Sequence, residues 1–166
     1  MVLTKSELVK SLQEEVRLLL HLATKVDRTK LDYRPTPKQR STIELLRYLT
    51  NMGPKLLKFI KAGSFDVAEW QAATAAADQM DFDQVLASLQ QQATLYPQLV
   101  AAYSDADFRG EVEMFGQKSS RGVFIVNLVL GGCAAYRTQL FLYLKACGRD
   151  ELSTINLWAG MDAAAA

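Results

Sequence analysis

The chain has 166 residues, 49% of them hydrophobic and 22% charged. That composition is globular and large enough to bury a core without disulfides or metals, which predicts a single domain over residues 1–166. Nineteen basic against eighteen acidic residues leave a net charge of +1, so neither nucleic acid nor a membrane surface is expected as a partner.

The opening MVLTKSELVK lacks an apolar signal core, so export is not expected. Thr4 and Glu7 have the spacing of a capping box and predict a first helix from Thr4 or Lys5. Val9, Leu12, Val16, Leu19, Ala23 and Val26 supply its buried stripe. His21, the sole histidine of the chain, falls on the opposite stripe with Lys10, Glu14, Arg17 and Arg28 and reads as a solvated surface residue. Two prolines exclude regular helix from Leu31 to Arg40. Ser41 and Glu44 form a second capping box, followed by Leu45, Tyr48, Leu49, Met52, Leu56 and Phe59 on one face. Gly53-Pro54 predicts a kink in that helix, and Ala62-Gly63-Ser64 ends it.

Asp66 caps a short Ala-rich helix anchored by Trp70, and Asp81 caps a third long helix over 82–104. Pro97 is expected to kink or divide the latter, whose buried stripe includes Gln92, Tyr96 and Tyr103. Alternation at Glu111–Met114 predicts a short extended arm. Gly122 to Tyr136 carry no charge, and apolar residues continue to Leu144. A helix apolar nearly all round is expected to be covered on several sides, and the uncharged run is too short for a span of about 20 residues. Ser119 or Ser120 should cap this central helix and Gly148 end it. Leu152, Ile155, Leu157 and Trp158 should close one end of the bundle, and residues 162–166 form a frayed tail. Cys133 and Cys147 lie about 21 Å apart along one helix, too far to bridge within it, and read as reduced thiols of a cytoplasmic protein. The fold class is all-α: a four-helix bundle with one long connection and short additional helices.

At the central helix, Cys133-Ala134-Ala135-Tyr136-Arg137-Thr138-Gln139-Leu140 resembles the last helix of the DinB-like superfamily. Arg34-Pro35-Thr36-Pro37 before Ser41–Leu49 is similar to that family's proline-containing loop and following helix. The resemblance implies a DinB-like bundle that works as a homodimer. It also implies a divalent metal held by three histidines, at the positions that here read Tyr48, Gly132 and Tyr136. With a single histidine in the chain that site cannot be built, so no metal and no cofactor is expected, and the family's metal-dependent catalysis is not carried over.

Tyr48, Gly132 and Tyr136 therefore mark a candidate pocket, with Gly132 leaving room for a ring, against the alternative that both tyrosines only fill the core. Arg47, Arg137 and Gln139 are candidates to orient a ligand, although Arg137 and Gln139 read first as structural, Arg137 pairing with a carboxylate or stacking on an aromatic and Gln139 bonding backbone. Cys133 reads as a small buried hydrophobe, and the basic loop of Arg34, Lys38 and Arg40 as solvated. Three functions follow. The first is a small-ligand-binding or dimeric interaction protein. The second is a thiol-dependent transferase working without metal, with Tyr48 or Tyr136 as its acid. The third is a structural or stress-related regulatory dimer. No catalytic residue is assigned.

Overall fold

Capping chemistry sets where the helices begin. Reciprocal boxes pair Thr4 with Glu7, Ser41 with Glu44 and Asp81 with Gln84. They open α1 (Lys5–Ala23), α2 (Thr42–Ala62) and α4 (Phe82–Ala101), while Asp66 caps the short α3 (Val67–Asp78). The computed structural model describes residues 3–163. The tail expected at 162–166 lies outside them from Ala164 onward.

The third long helix stops at Ala101, short of the expected Ser104, because Ser104 is itself the cap of α5 (Asp105–Arg109). The extended arm is one half of a hairpin. Strand β1 (Glu111–Met114) pairs antiparallel with β2 (Gln117–Ser120), Glu111 opposite Ser120 and Met114 opposite Gln117. Ser120 then caps the central helix, which runs as α6 (Arg121–Phe124), a π-helical segment Ile125–Leu130 and α7 (Gly131–Ala146). Gly148, at φ +95°, turns the chain away from that helix toward α8 (Thr154–Ala159).

Around the bundle, α1 and α2 each pack against both α4 and the central helix, which places α1 diagonally from α2. Leu12, Leu45, Leu57, Leu89, Ile125 and Leu140 are fully buried between them. This is an all-α bundle.

Both internal prolines are accommodated rather than dividing their helices. Proline has no N–H for the carbonyl four residues back, so Pro54 leaves Thr50 and Pro97 leaves Ala93 without a helical partner. Gln92 Nε2 donates to the Thr50 carbonyl at 3.0 Å and to Leu49 at 2.9 Å. Gln13 Nε2 donates to the Ala93 carbonyl at 2.8 Å. Each bond also crosses between helices, α4 to α2 and α1 to α4. A proline interrupts the ladder, and a neighbouring glutamine repairs it.

Three expectations are corrected. His21 is not solvated: its side chain is 16% exposed, 3.6 Å from Asp162 and beside Asn156. The C-terminal segment covers this part of α1, with Lys25 paired to Asp162 and Arg17 donating to the Ala159 carbonyl. At the same end Leu152 and Asn156 are buried, which turns Ile155 and Trp158 outward, Trp158 to 70% exposure. Finally, the central helix is not covered all round. Val123, Val126, Gly131, Ala135, Thr138 and Leu142 are exposed along it. As a continuous helix, Arg121–Ala146 is long and apolar enough by composition to cross a membrane, with only 28% of its most apolar window buried. It nevertheless packs on α1 and α2, and its Arg137 is buried in the bundle.

Candidate functional site

The capped second helix brings Tyr48 and Met52 to face Gly132 and Tyr136 of α7. Tyr48 and Tyr136 meet edge to face, ring centroids 5.0 Å apart, and both are half-buried. An aromatic chain extends from them: Tyr48 to Trp70 at 5.9 Å, Trp70 to Phe65 at 5.5 Å and Phe65 to Phe115 at 5.4 Å. These rings line an open cavity of about 640 Å³ that reaches Asn127, Leu128, Gly131 and Gly132 of the central helix. Its volume falls in the range of small-molecule sites.

Gly132 makes room for Met52 rather than for a ring. A Cβ at Gly132 would lie 3.2 Å from the Met52 methyl and 3.3 Å from its sulfur. Immediately before it, the Gly131 N–H donates to the Val126 carbonyl five residues back, the wider turn of a π-helix. Such segments recur at functional sites because they re-aim the side chains on either side. Here the π-helical segment supplies Asn127 and Leu128 to the cavity wall.

Phe115 forms the outer rim. It sits with Gly116 in the two-residue hairpin turn, at φ +55°, a left-handed conformation that phenylalanine rarely adopts. Strain of this kind tends to be kept where a side chain is needed in one place, and this ring closes the aromatic row against Phe65.

Arg40 completes the wall. Its guanidinium carbon lies 3.9 Å from the centre of the Tyr48 ring. Its carbonyl accepts a hydrogen bond from Tyr143 Oη at 2.9 Å, and the same hydroxyl accepts one from Gln139 Nε2.

The other residues singled out from sequence go elsewhere. Arg137 does not reach the cavity. Its side chain is 4% exposed, donates to Glu15 at 2.9 and 3.2 Å and also bonds the Leu157 carbonyl. Gln139 acts one step away, through Tyr143. Arg47 lies in a neighbouring recess with Asn51, Thr74 and Asp78, where it donates to the Met80 carbonyl and locks α2 to the α3–α4 turn. Conversely, sequence reasoning passed over Phe65, Phe115 and Asn127 as site residues and treated Arg40 as solvated. The signal available for Arg40 was its place directly before the Ser41 cap of the helix that carries Tyr48.

The donor set does not fit a divalent metal. Glycine offers no ligand at 132, and a thioether is a soft donor better suited to Cu(I) than to zinc or nickel. Burial, and then the adjacent Tyr136 hydroxyl, push the Tyr48 phenol well above its usual range, away from the phenolate a metal would need. Among the described residues no group of three or more His, Cys, Asp or Glu is placed to hold a metal ion. The Tyr48 and Tyr136 hydroxyls lie close to each other, and both residues line the cavity.

Burial also raises the Tyr96 and Tyr103 phenols. A phenol raised in the folded state contributes stability that is present below its unfolded value near ~10 and lost as pH climbs past it. Phenolate absorbance from Tyr48, Tyr96 and Tyr103 should therefore appear only as the helical circular dichroism collapses. Complete ionisation of all six tyrosines with the helices intact would contradict this burial.

With this geometry in place, likeness to known proteins is informative. No protein-family model and no curated protein matches the chain. A crystal structure of a DinB-like protein from Bacillus subtilis, YjoA, superposes with a TM-score of 0.66 at 17% identity. The match covers 88% of this chain and 94% of that one. The fold is DinB-like. At this identity the likeness speaks for the architecture alone, and the cavity has to be read from its own residues.

Proposed function

We propose that this protein binds a small molecule with a flat apolar body in the cavity between α2, α3, the hairpin tip and the central helix, and that it performs no metal-dependent catalysis. One observation carries the reading: five aromatic rings surround an open space whose wall also holds the polar side chains of Tyr48, Tyr136 and Asn127. Apolar walls with a few convergent polar groups are the usual make-up of a ligand site.

The transferase reading is less well supported. A tyrosine acid working near neutral pH needs a lowered pKa, whereas Tyr48 is raised. The Cys133 thiol is pushed up to about 12 by burial, which leaves no reactive thiolate there. Two unpaired thiols accord with a cytoplasmic location.

Trp70 is the only tryptophan in the cavity; the other, Trp158, is at the far exposed end. In a Trp158→Phe background, the neutral dye phenylnaphthylamine should quench Trp70 by energy transfer with one-to-one stoichiometry. Absence of saturable transfer would refute the pocket reading.

A second property is supported by the exposed stripe of Gly131, Ala135, Thr138 and Leu142 on the central helix, where small side chains allow close helix approach. Through it the chain forms a homodimer. Sedimentation velocity should give twice the 18.5 kDa chain mass, and Leu142→Glu should yield the monomer. A monomeric parent protein would remove this reading.

A further inference from the structure

The cavity has a chemical polarity that its aromatic lining alone does not explain. Of its thirteen wall residues, Arg40 is charged and none is acidic. The carboxylate nearest in sequence, Glu44, is engaged by Arg34 at 2.9 Å and by the Ser41 N–H at 2.8 Å. Among the described residues, the Arg40 guanidinium has no hydrogen-bond or ion-pair partner; it lies over the face of Tyr48 and also borders the adjoining recess that holds Glu44, Arg47 and Asp78.

That guanidinium is also held in place. The residue after it is the α2 cap, fixed by its own box. The Arg40 carbonyl is pinned by Tyr143, which Gln139 engages in turn. Stacking on Tyr48 orients the guanidinium plane and leaves its edge N–H groups to bond a ligand. A cation already ordered over an aromatic wall loses little freedom when an anion arrives. Phenol O–H groups and the Asn127 amide add neutral donors on the other side, again without a competing acidic group.

We infer that the ligand is a flat aromatic anion, an arene carboxylate or sulfonate, whose ring lies against Tyr48, Trp70 and Tyr136 while its acidic group is taken by the free Arg40 guanidinium. This inference rests on the pocket reading above and adds the sign of the ligand's charge to it. Arg40 binds the anion directly; Tyr143 and Gln139 are positioning residues.

The test uses two dyes with the same ring system, neutral phenylnaphthylamine and anionic anilinonaphthalenesulfonate, each read by energy transfer from Trp70 in the Trp158→Phe protein. Arg40 is exposed, so replacing it should not disturb folding. Arg40→Met should weaken the sulfonate about tenfold or more, as expected for loss of a charged hydrogen bond, and leave the neutral dye within about twofold. Arg40→Lys should recover part of the sulfonate affinity. Tyr143→Phe should weaken the sulfonate by a smaller factor and again spare the neutral dye. If both dyes bind and Arg40→Met shifts them equally or not at all, the anion inference is overturned and the pocket reading survives. If neither dye binds, both fall together.

Discussion

Replacing Arg137 by methionine should strongly destabilise this protein through its central helix. The guanidinium sits in the bundle with 4% of its side chain exposed and Glu15 at 16%. It ties three elements together, donating to Glu15 on α1 and to the Leu157 carbonyl in α8, with its carbon 5.8 Å from the Trp158 ring centre. Removing one partner of a buried pair strands the other charge, at a cost of about 3–5 kcal/mol. In a chain of this size that lowers the melting temperature by roughly 6–20 °C. Glu15→Gln in the same background should recover much of the loss, since the stranded charge is then gone. The Leu157 contact adds a local signature: amide protection in α8 should fall first. Neither dye should lose affinity for folded Arg137→Met protein, because Arg137 lies outside the cavity. A variant that melts like the parent would contradict the buried pair.

A comparable loss is expected from Gly53→Ala, a change of one methyl group. The Cβ it adds would sit 2.0 Å from Tyr96 Oη. Tyr96 cannot swing clear, being 1% exposed and hydrogen-bonded to Gln92 Oε1 at 3.0 Å. The same Gln92 amide caps the carbonyls around the Pro54 gap, so displacing the ring also strains the repair of α2. Overpacking of this kind costs about 2–3 kcal/mol, or roughly 4–12 °C. Tyr96→Phe removes the clashing oxygen. The double variant should therefore be more stable than Gly53→Ala alone, although Tyr96→Phe by itself weakens the protein. Additive losses in the double variant would show that the ring and the glycine do not touch.

These residues also show what could be read from the chain. Helix starts at Thr4 and Ser41 were legible because a cap and its box partner are three residues apart, and the start at Asp81 from its capping side chain, both purely local signals. Tyr48 and Tyr136 were placed on facing helices by periodicity and resemblance. Continuity of α2 through Pro54 was expected from its stripe, whereas Pro97 left open whether α4 would kink or divide, and the repairing glutamines were not legible because they come from other helices. Gln92 stood out only as a polar residue in a buried stripe. His21 was misplaced because the segment that covers it arrives from Asn156 and Asp162, far along the chain.

The candidate site divides in the same way. Gly131-Gly132 advertised a close approach, but not that Met52 would fill it, nor that the preceding turn would widen into a π-helix. Phe65 and Phe115 reach the cavity from the α2–α3 link and a hairpin turn, where no period marks an inward face. Arg40 looked like one more basic loop residue until the tertiary fold laid it over Tyr48.

The most direct test is a crystal structure of the protein grown with anilinonaphthalenesulfonate. The account predicts density for the rings among Tyr48, Trp70 and Tyr136, with the sulfonate at Arg40. An empty cavity, with the dye only in the apolar groove formed by Leu3, Leu8, Val123 and Val126, would contradict it.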